Sequence, residues 1–347
     1  MTAGSNVDTL RVWLPAIRAG SGADVFTERL ATALQARGVD AHVSWFPHWT
    51  EVAPDLLRFD HMPPGTQVIH ANSAYAFAFR RKGIPLVVTE HHYTLDPAYR
   101  PYKSALQNAY HFALMGPYLH RSYAAAAAIT TDSRFTARVL AEVAGVGVTR
   151  TIPLWVDYRE FAPGESRVVD GKFRLLFVGN ASRRKGADVI PVLADRLGDG
   201  FEICCTSGLR EEMSRAPRQN VCVLGRLSRD ELVREYQACD AVLVPSRYEG
   251  FGYSALEAMA CAKPVIGFRC GAIEEVALDG ATALLYAIDD VQGLAEGCRT
   301  LARDRTRAEA FGVAGRERAV SVFTEARAMD AYIDLYESLI RSASSEA

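Results

Sequence analysis

The sequence predicts an α/β protein made of two doubly wound domains facing each other across a cleft, and three observations carry that prediction. The chain has 347 residues, more than one hydrophobic core usually organises, so two domains of similar size are expected. Short apolar strings alternate with stretches of helical periodicity, the pattern of a parallel sheet covered on both faces. That alternation gives way to FAPGESRVVD, residues 161–170, and then restarts. A linker is expected there, dividing a first domain (1–163) from a second (171–324), with 325–347 returning to the first.

Taken in order, the run TLRVWL (9–14) stops at Pro15 and a Gly/Ser loop, and residues 23–36 repeat apolar side chains at helical spacing. That is strand, loop and helix. Further strands are expected at AHVSWF (41–46), QVIHA (67–71), PLVVTE (85–90) and AAIT (127–130). Beyond the linker, FRLLFVG (173–179), FEICCT (201–206), VCVLG (221–225), AVLVPS (241–246) and PVIGF (264–268) predict a second sheet. Helices over 293–302, 306–323 and 325–342 then close the chain without further strands, the last packing back across the linker. Both halves read as Rossmann-like, and such open sheets bind ligands at the carboxyl ends of their strands.

Composition narrows the function. With 49% hydrophobic and 23% charged residues the chain reads as an ordinary globular protein. No apolar run approaches the roughly 20 residues of a spanning helix, and the start lacks the marks of a secretory signal, so a cytoplasmic location is expected. Seven cysteines, all in the second half and without C-x-x-C spacing, predict neither disulfides nor a zinc site. All eight histidines lie between His42 and His120, so imidazole chemistry has to come from the first half. A formal net charge of −2 gives no reason to expect nucleic acid as a partner.

The strongest local signal is PSRYEGFGYSALEAMACAKPVIGF, residues 245–268. A strand ends at Pro245, and Glu249-Gly250-Phe251-Gly252 turns the chain into a helix from about Tyr253 to Cys261. Free N–H groups at a helix start beside glycines form an anion site suited to a diphosphate. A carboxylate beside a diphosphate repels it unless that carboxylate accepts hydrogen bonds from neutral donors, and sugar hydroxyls are such donors. The segment resembles the signature of glycosyltransferase family 4, two glutamates separated by seven residues. The resemblance implies the retaining GT-B architecture. It also implies that Glu249 contacts donor-sugar hydroxyls, that Glu257 binds the nucleotide ribose, and that the amides of Gly250, Phe251, Gly252 and Tyr253 hold donor phosphate.

A second constellation, FVGNASRRKGADVI (177–190), again runs strand, glycine turn, basic cluster and helix. Arg184 and Lys185 offer a planar fork and a point charge to phosphate oxygens. The family pattern G-R-x(n)-K-G is met at Lys185 and Gly186, but Asn180 stands at its arginine, so Arg183 or Arg184 would have to supply that contact. The turn Gly225–Ser228, with Arg226 and Leu227, is where the family's base contacts arise. CGAIEEVALDGATALLY resembles G-G-x-P-E-V-x-x-D-G, with Glu275 at the glutamate and a local structural role, while Ala262 stands where glycine is common.

The first half resembles the family in outline. AGSGADVF (19–26) is similar to its G-G-x-E turn, which places Gly22 where donor or acceptor approaches the backbone. In VVTEHHY (87–93), neighbours on an extended chain point to opposite faces, so one histidine is expected to face the cleft, and the family's V-T-E-H alignment favours His91 over His92. In PLWVDYREF, Leu154 and Trp155 replace the family's Asn-Gly and change the cleft wall.

The expected activity is transfer of a sugar from a UDP- or GDP-sugar to a glycan or lipid-linked acceptor, in cell-surface lipopolysaccharide or exopolysaccharide synthesis. Glu249, Lys185 and His91 are the expected catalytic groups. No metal or cofactor is expected, because D-x-D is absent and the helix start and basic residues do a cation's work. A GT-B sugar-nucleotide epimerase and an NAD-dependent Rossmann oxidoreductase are the alternatives. The oxidoreductase needs an acidic residue closing its second strand, where Asp40 instead begins it. From Pro97 to Thr131 no acidic residue occurs, and Arg100, Lys103 and Arg121 alternate with Tyr99, Tyr102, Tyr110, Phe112, Tyr118 and Tyr123. That suits peripheral contact with an anionic membrane, or else an ordinary helix pair with aromatics in its core.

Overall fold

A computed structural model of the protein describes residues 9–164, 171–207 and 218–345. The first sheet contains β1 (Arg11–Ile17), β2 (Asp40–Phe46), β3 (Val68–Asn72), β4 (Leu86–Glu90), β5 (Ala128–Thr131) and β6 (Arg150–Thr151), in the order β2-β1-β3-β4-β5-β6. The second contains β7 (Phe173–Phe177), β8 (Phe201–Thr206), β9 (Val221–Gly225), β10 (Ala241–Val244), β11 (Val265–Phe268) and β12 (Ala283–Tyr286), in the order β12-β11-β10-β7-β8-β9. Every pairing is parallel.

Two sequence expectations need correction, and a third lies largely outside the described residues. The first strand runs through Pro15 instead of stopping at it. Gln67 N bonds Arg11 O while Arg18 N bonds Phe46 O, so odd residues of β1 face β3, and pairing with β3 extends only over Val12 and Trp13. The N–H that Pro15 lacks therefore falls where no partner waits. Two strands are added, β6 and β12, the latter lying ahead of the closing helices. The expected linker, 161–170, falls largely on residues 165–170, outside the described residues.

Strand order places the chemistry. In each sheet the connections reverse direction once, between β1 and β3 in the first and between β7 and β10 in the second. The crevice beyond the strand ends at such a reversal is where doubly wound sheets take ligands. Beyond β7 comes Gly179 and beyond β10 comes Pro245–Glu249. Beyond β1 comes the Ala19–Gly22 loop, and β3 ends at Asn72.

The last helix, Glu325–Ser345, packs back on the first sheet, as expected. Tyr332 and Tyr336 are fully buried, the Tyr336 hydroxyl lies 2.6 Å from Nδ1 of buried His70, and the Tyr332 ring meets Phe26. One continuous apolar cluster joins Phe26 and Trp155 of the first half to Phe251, Phe323 and Tyr332.

Candidate active site

The turn before the helix Tyr253–Ala260 is built by glycines that cannot be exchanged. Gly252 has φ 105°, a conformation side chains resist, and a Cβ on it would sit 2.6 Å from Ile273. A Cβ on Gly250 would come within 2.0 Å of the His91 carbonyl oxygen on the opposite sheet. The basic loop is fixed as tightly. Gly186 (φ 77°) leaves no room for a Cβ against the Pro245 carbonyl, Arg247 N donates to Arg184 O (2.8 Å), and the Arg247 guanidinium bonds Arg183 O and Asp188.

These two loops bring three expected residues together. Glu249 is buried; Lys185 Nζ donates to its Oε1, Ser246 Oγ donates to the same oxygen (3.0 Å), and Arg184 Nη1 stands 3.6 Å from Oε2. Burial pushes the carboxyl's pKa up, but the Lys185 and Arg184 charges and the hydrogen bonds outweigh it and hold it at about 2. Arg184, not the exposed Arg183, faces the cleft beside Asn180.

Around this ion cluster lie three connected hollows. A central one of about 340 Å³ is lined by Gly22, His91, Arg184, Lys185, Glu249 and the Gly250–Tyr253 turn. One of about 280 Å³ continues from Lys185 and Tyr253 to Arg226, Leu227 and Glu257. On the first-sheet side a third, of about 330 Å³, begins at Ser21, His91 and His92 and runs to Glu51, Lys103 and His111. The expectation that only one histidine faces the cleft is corrected: both line it. They lie past the end of β4, where strand alternation no longer governs direction.

Glu257 is buried on its helix. The Tyr236 hydroxyl donates to its Oε2 (2.9 Å), and Arg29 of the first half approaches its Oε1 (3.7 Å) while lying over the Tyr253 ring. Burial raises its pKa despite Arg29. Gly22 starts the helix Gly22–Ala36, with open space where a Cβ would point, and Asp24 holds its approach loop by accepting from the amides of Ala19 (3.0 Å) and Gly20 (2.7 Å).

Two family models match consecutive parts of the chain, Glycosyltransferase Family 4 over residues 45–160 and Glycosyl transferases group 1 over residues 159–318. The chain belongs to glycosyltransferase family 4. Alpha-maltose-1-phosphate synthase of Mycolicibacterium smegmatis is 28% identical, over 95% of this chain and 98% of that protein. The lipopolysaccharide core biosynthesis mannosyltransferase LpsB of Rhizobium meliloti is 38% identical over 30% of this chain and 31% of its own length. Sucrose-phosphate synthase from Thermosynechococcus elongatus has the same GT-B fold, with a TM-score of 0.81 at 20% identity, covering 96% of this chain and all of that one.

The glycosyltransferase cleft also depends on residues beyond the expected site. Glu275, expected to act only locally, reaches across to the other sheet and accepts from the amides of Arg134 (2.9 Å) and Phe135 (2.6 Å), capping the helix Arg134–Val139. Ser133 Oγ donates to Gly250 O (2.6 Å), and the Tyr248 hydroxyl donates to Asp96 (2.9 Å) while its ring stacks on Tyr99. Asp132, at the end of β5, holds His91. Leu154 lines the central hollow; Trp155 lies buried behind it.

Proposed function

We propose that this glycosyltransferase transfers a sugar from a nucleoside diphosphate donor with retention of anomeric configuration. The observation that carries the reading is the Glu249–Lys185–Arg184 cluster at the junction of the hollows. In this reading the nucleoside occupies the Arg226–Leu227–Glu257 hollow, Lys185, Arg184 and the Gly250–Tyr253 amides take the diphosphate, and Glu249 and His91 face the sugar. The bond from the anomeric carbon to the diphosphate breaks as the acceptor oxygen bonds the same face. The acceptor's proton passes to a departing phosphate oxygen. Lys185 and the preorganised amides stabilise the growing negative charge. The carboxylates of the central hollow, Glu249 and Asp132, are bound to Lys185 and His91, which favours front-face attack over a covalent intermediate.

The test is binding and turnover across UDP-, GDP- and ADP-sugars, with and without excess EDTA. Saturable binding of one class and unchanged turnover in the chelator are expected. Loss of turnover in EDTA would overturn the metal-free assignment, and no binding by any class would overturn the donor assignment.

The acceptor reading, a lipid-linked glycan of the cell surface met at the inner face of the membrane, rests on only part of the segment the sequence suggested, together with two short turns outside it. Arg121 is neutralised by Asp55 through two bonds (3.0 and 2.6 Å), Lys103 turns inward to Thr94 O (2.6 Å), and Tyr118 is buried. Exposed are Trp49, Val52, Leu56 and Phe59 on two short 3₁₀ turns and, within the suggested segment, Leu106 and Phe112 near the helix Ala105–Tyr110. Those same segments supply Glu51, Gln107 and His111 to the third hollow, so apolar side chains sit on the elements that wall the acceptor side. No described helix is long and apolar enough to cross a membrane. Co-sedimentation with anionic vesicles is expected for wild type and expected to be lost in Trp49→Ser/Phe59→Ser/Phe112→Ser, with Arg121→Ser little changed. Equal sedimentation of the triple variant would count against this surface.

A further inference from the structure

His91 is gripped at both ring nitrogens. Its Nδ1 lies 2.6 Å from Asp132 Oδ2 and its Nε2 lies 3.0 Å from Asn72 Oδ1. Which nitrogens carry protons follows from the groups behind Asn72. Thr27 Oγ1 donates to the Ala23 carbonyl (3.0 Å), one turn back along its helix. Its hydroxyl proton is thereby committed, and the oxygen accepts from Asn72 Nδ2 (3.4 Å). With Nδ2 turned to Thr27, Asn72 presents its carbonyl oxygen to His91, so Nε2 has to donate. Nδ1 faces a carboxylate, so it donates too. The chain from His91 through Asn72 and Thr27 to Ala23 runs donor to acceptor at every link.

We infer that Asp132 is a positioning residue that holds His91 as an imidazolium, giving the first-sheet wall of the donor hollow a fixed positive charge. This deepens the donor reading and rests on it for its effect on turnover, whereas the charge state stands on the hydrogen-bond chain alone. Asp132 is buried, and its second oxygen, Oδ1, has no hydrogen-bond partner among the described residues although the residue lines the central hollow. A carboxylate so placed has one strong compensation, the ring it faces. Both ring N–H groups are committed, Nδ1–H to Asp132 and Nε2–H to Asn72, so the imidazolium acts on the donor through its fixed positive charge in the hollow that Arg184 and Lys185 also line.

The surrounding groups agree. Burial pushes the His91 pKa down, but the Asp132 charge and hydrogen bond, with the Glu90 charge, outweigh it and the net shift is upward. From β3, His70 is kept neutral, its pKa lowered to about 3 by burial and by His91. Beside it His92 is likewise lowered to about 3 by burial, Arg184 and His91. The helix Gly22–Ala36 presents only the uncharged Phe26 ring, 4.7 Å away. The second sheet presents the Gly250 backbone, and Thr136 of the helix Arg134–Val139 reaches only the His91 carbonyl. Because the folded-state value is raised, the pair's stabilisation is complete below the ordinary histidine range near 6.5. It is lost as pH rises through the raised value.

The experiment is ¹⁵N NMR of the imidazole rings of the full chain, with kcat and KM followed against pH, for wild type, Asp132→Asn and Thr27→Val. Wild-type His91 is expected to be doubly protonated at pH 7.5. In Asp132→Asn the ring should be neutral there, and the alkaline limb of kcat should fall at least about one pH unit lower, about a tenfold loss at the pH of the wild-type limb, with KM changed less. Thr27→Val frees Asn72 to rotate and should also lower the His91 value, a result independent of whether Asp132→Asn folds. A neutral wild-type ring at pH 7.5 overturns the inference. A charged ring with an unmoved kcat limb in Asp132→Asn overturns the positioning role, and so does complete loss of turnover at every pH with His91 still protonated. Failure of every sugar nucleotide to bind wild type, with the ring charged, sinks the donor reading separately.

Discussion

Glu249→Gln is expected to lower kcat by about 10²–10³-fold, the scale on which removing a preorganised electrostatic partner is felt, while nucleoside diphosphate binds as tightly or tighter. The direction follows from the ligand-free cluster. Lys185 and Arg184 both lean on the Glu249 carboxylate, so a diphosphate must share these cations with it. Glutamine preserves the shape and releases both cations to the phosphates, but it loses the charged acceptor for sugar hydroxyls. Glu257→Gln should behave in the opposite way. It keeps an oxygen for the Tyr236 hydroxyl, where alanine would strand that buried group at about 1–3 kcal/mol, and it should weaken nucleotide affinity with a smaller effect on kcat. Calorimetric titration of nucleoside diphosphate beside steady-state kinetics separates the two. Equal losses of affinity in both variants would remove the division of labour between the glutamates.

Gly250→Ala is expected to be nearly as damaging, through geometry instead of charge. Its methyl would sit 2.0 Å from the His91 carbonyl oxygen and 2.9 Å from His92 Cβ, and a backbone carbonyl cannot swing aside as a flexible side-chain tip does. The two sheets must then part at this point. That separates the donor turn from His91 and stretches the Ser133–Gly250 bond. Overpacking of this kind costs about 1–3 kcal/mol, and here it falls on the closed arrangement alone. kcat/KM should drop by about two orders of magnitude or more, because misplacing reacting groups by an ångström suffices for that. The melting temperature should change less than kcat/KM does, since the clusters confined to one sheet, around Trp13 and Phe79 in the first and Phe173 and Ile203 in the second, lie away from this contact. Small-angle scattering with bound nucleoside diphosphate is expected to show a more extended molecule than wild type. Wild-type kinetics in this variant would mean that the contact is dispensable.

The sequence made the motif-bearing loops legible because their signals are local. A strand, a glycine turn and a helix start lie within some ten residues, and Glu249, Lys185 and Glu257 each sit inside such a unit. Even the departure at Ala262 has a visible physical basis. That residue takes φ 56°, the left-handed region where glycine is at ease. What stayed hidden is the partner set brought in from far along the chain: Arg29 against Glu257, Glu275 against Arg134 and Phe135, Asp96 against Tyr248. Such pairs are joined by tertiary packing, and no periodicity encodes them. Asp132 was within reach, since an acidic residue directly after the AAIT strand stands at the ligand-binding edge of a doubly wound sheet. The two residues of β6 are too few for a pattern to register, whereas β12 is as long as β5, β10 and β11 and its ALLY string was legible.

The tyrosine pair on the final helix bears on how the molecule is made. His70, Phe26 and the outer face of the first sheet are covered by Tyr332 and Tyr336, which leave the ribosome about 260 residues after the strand they complete. The amino-terminal half therefore emerges with an open flank, and the His70 side that Tyr332 and Tyr336 later cover still faces water. Maturation is in this sense circular: a sheet translated early is finished by a helix translated later, and a chain stopped before residue 332 lacks the tyrosines that cover it.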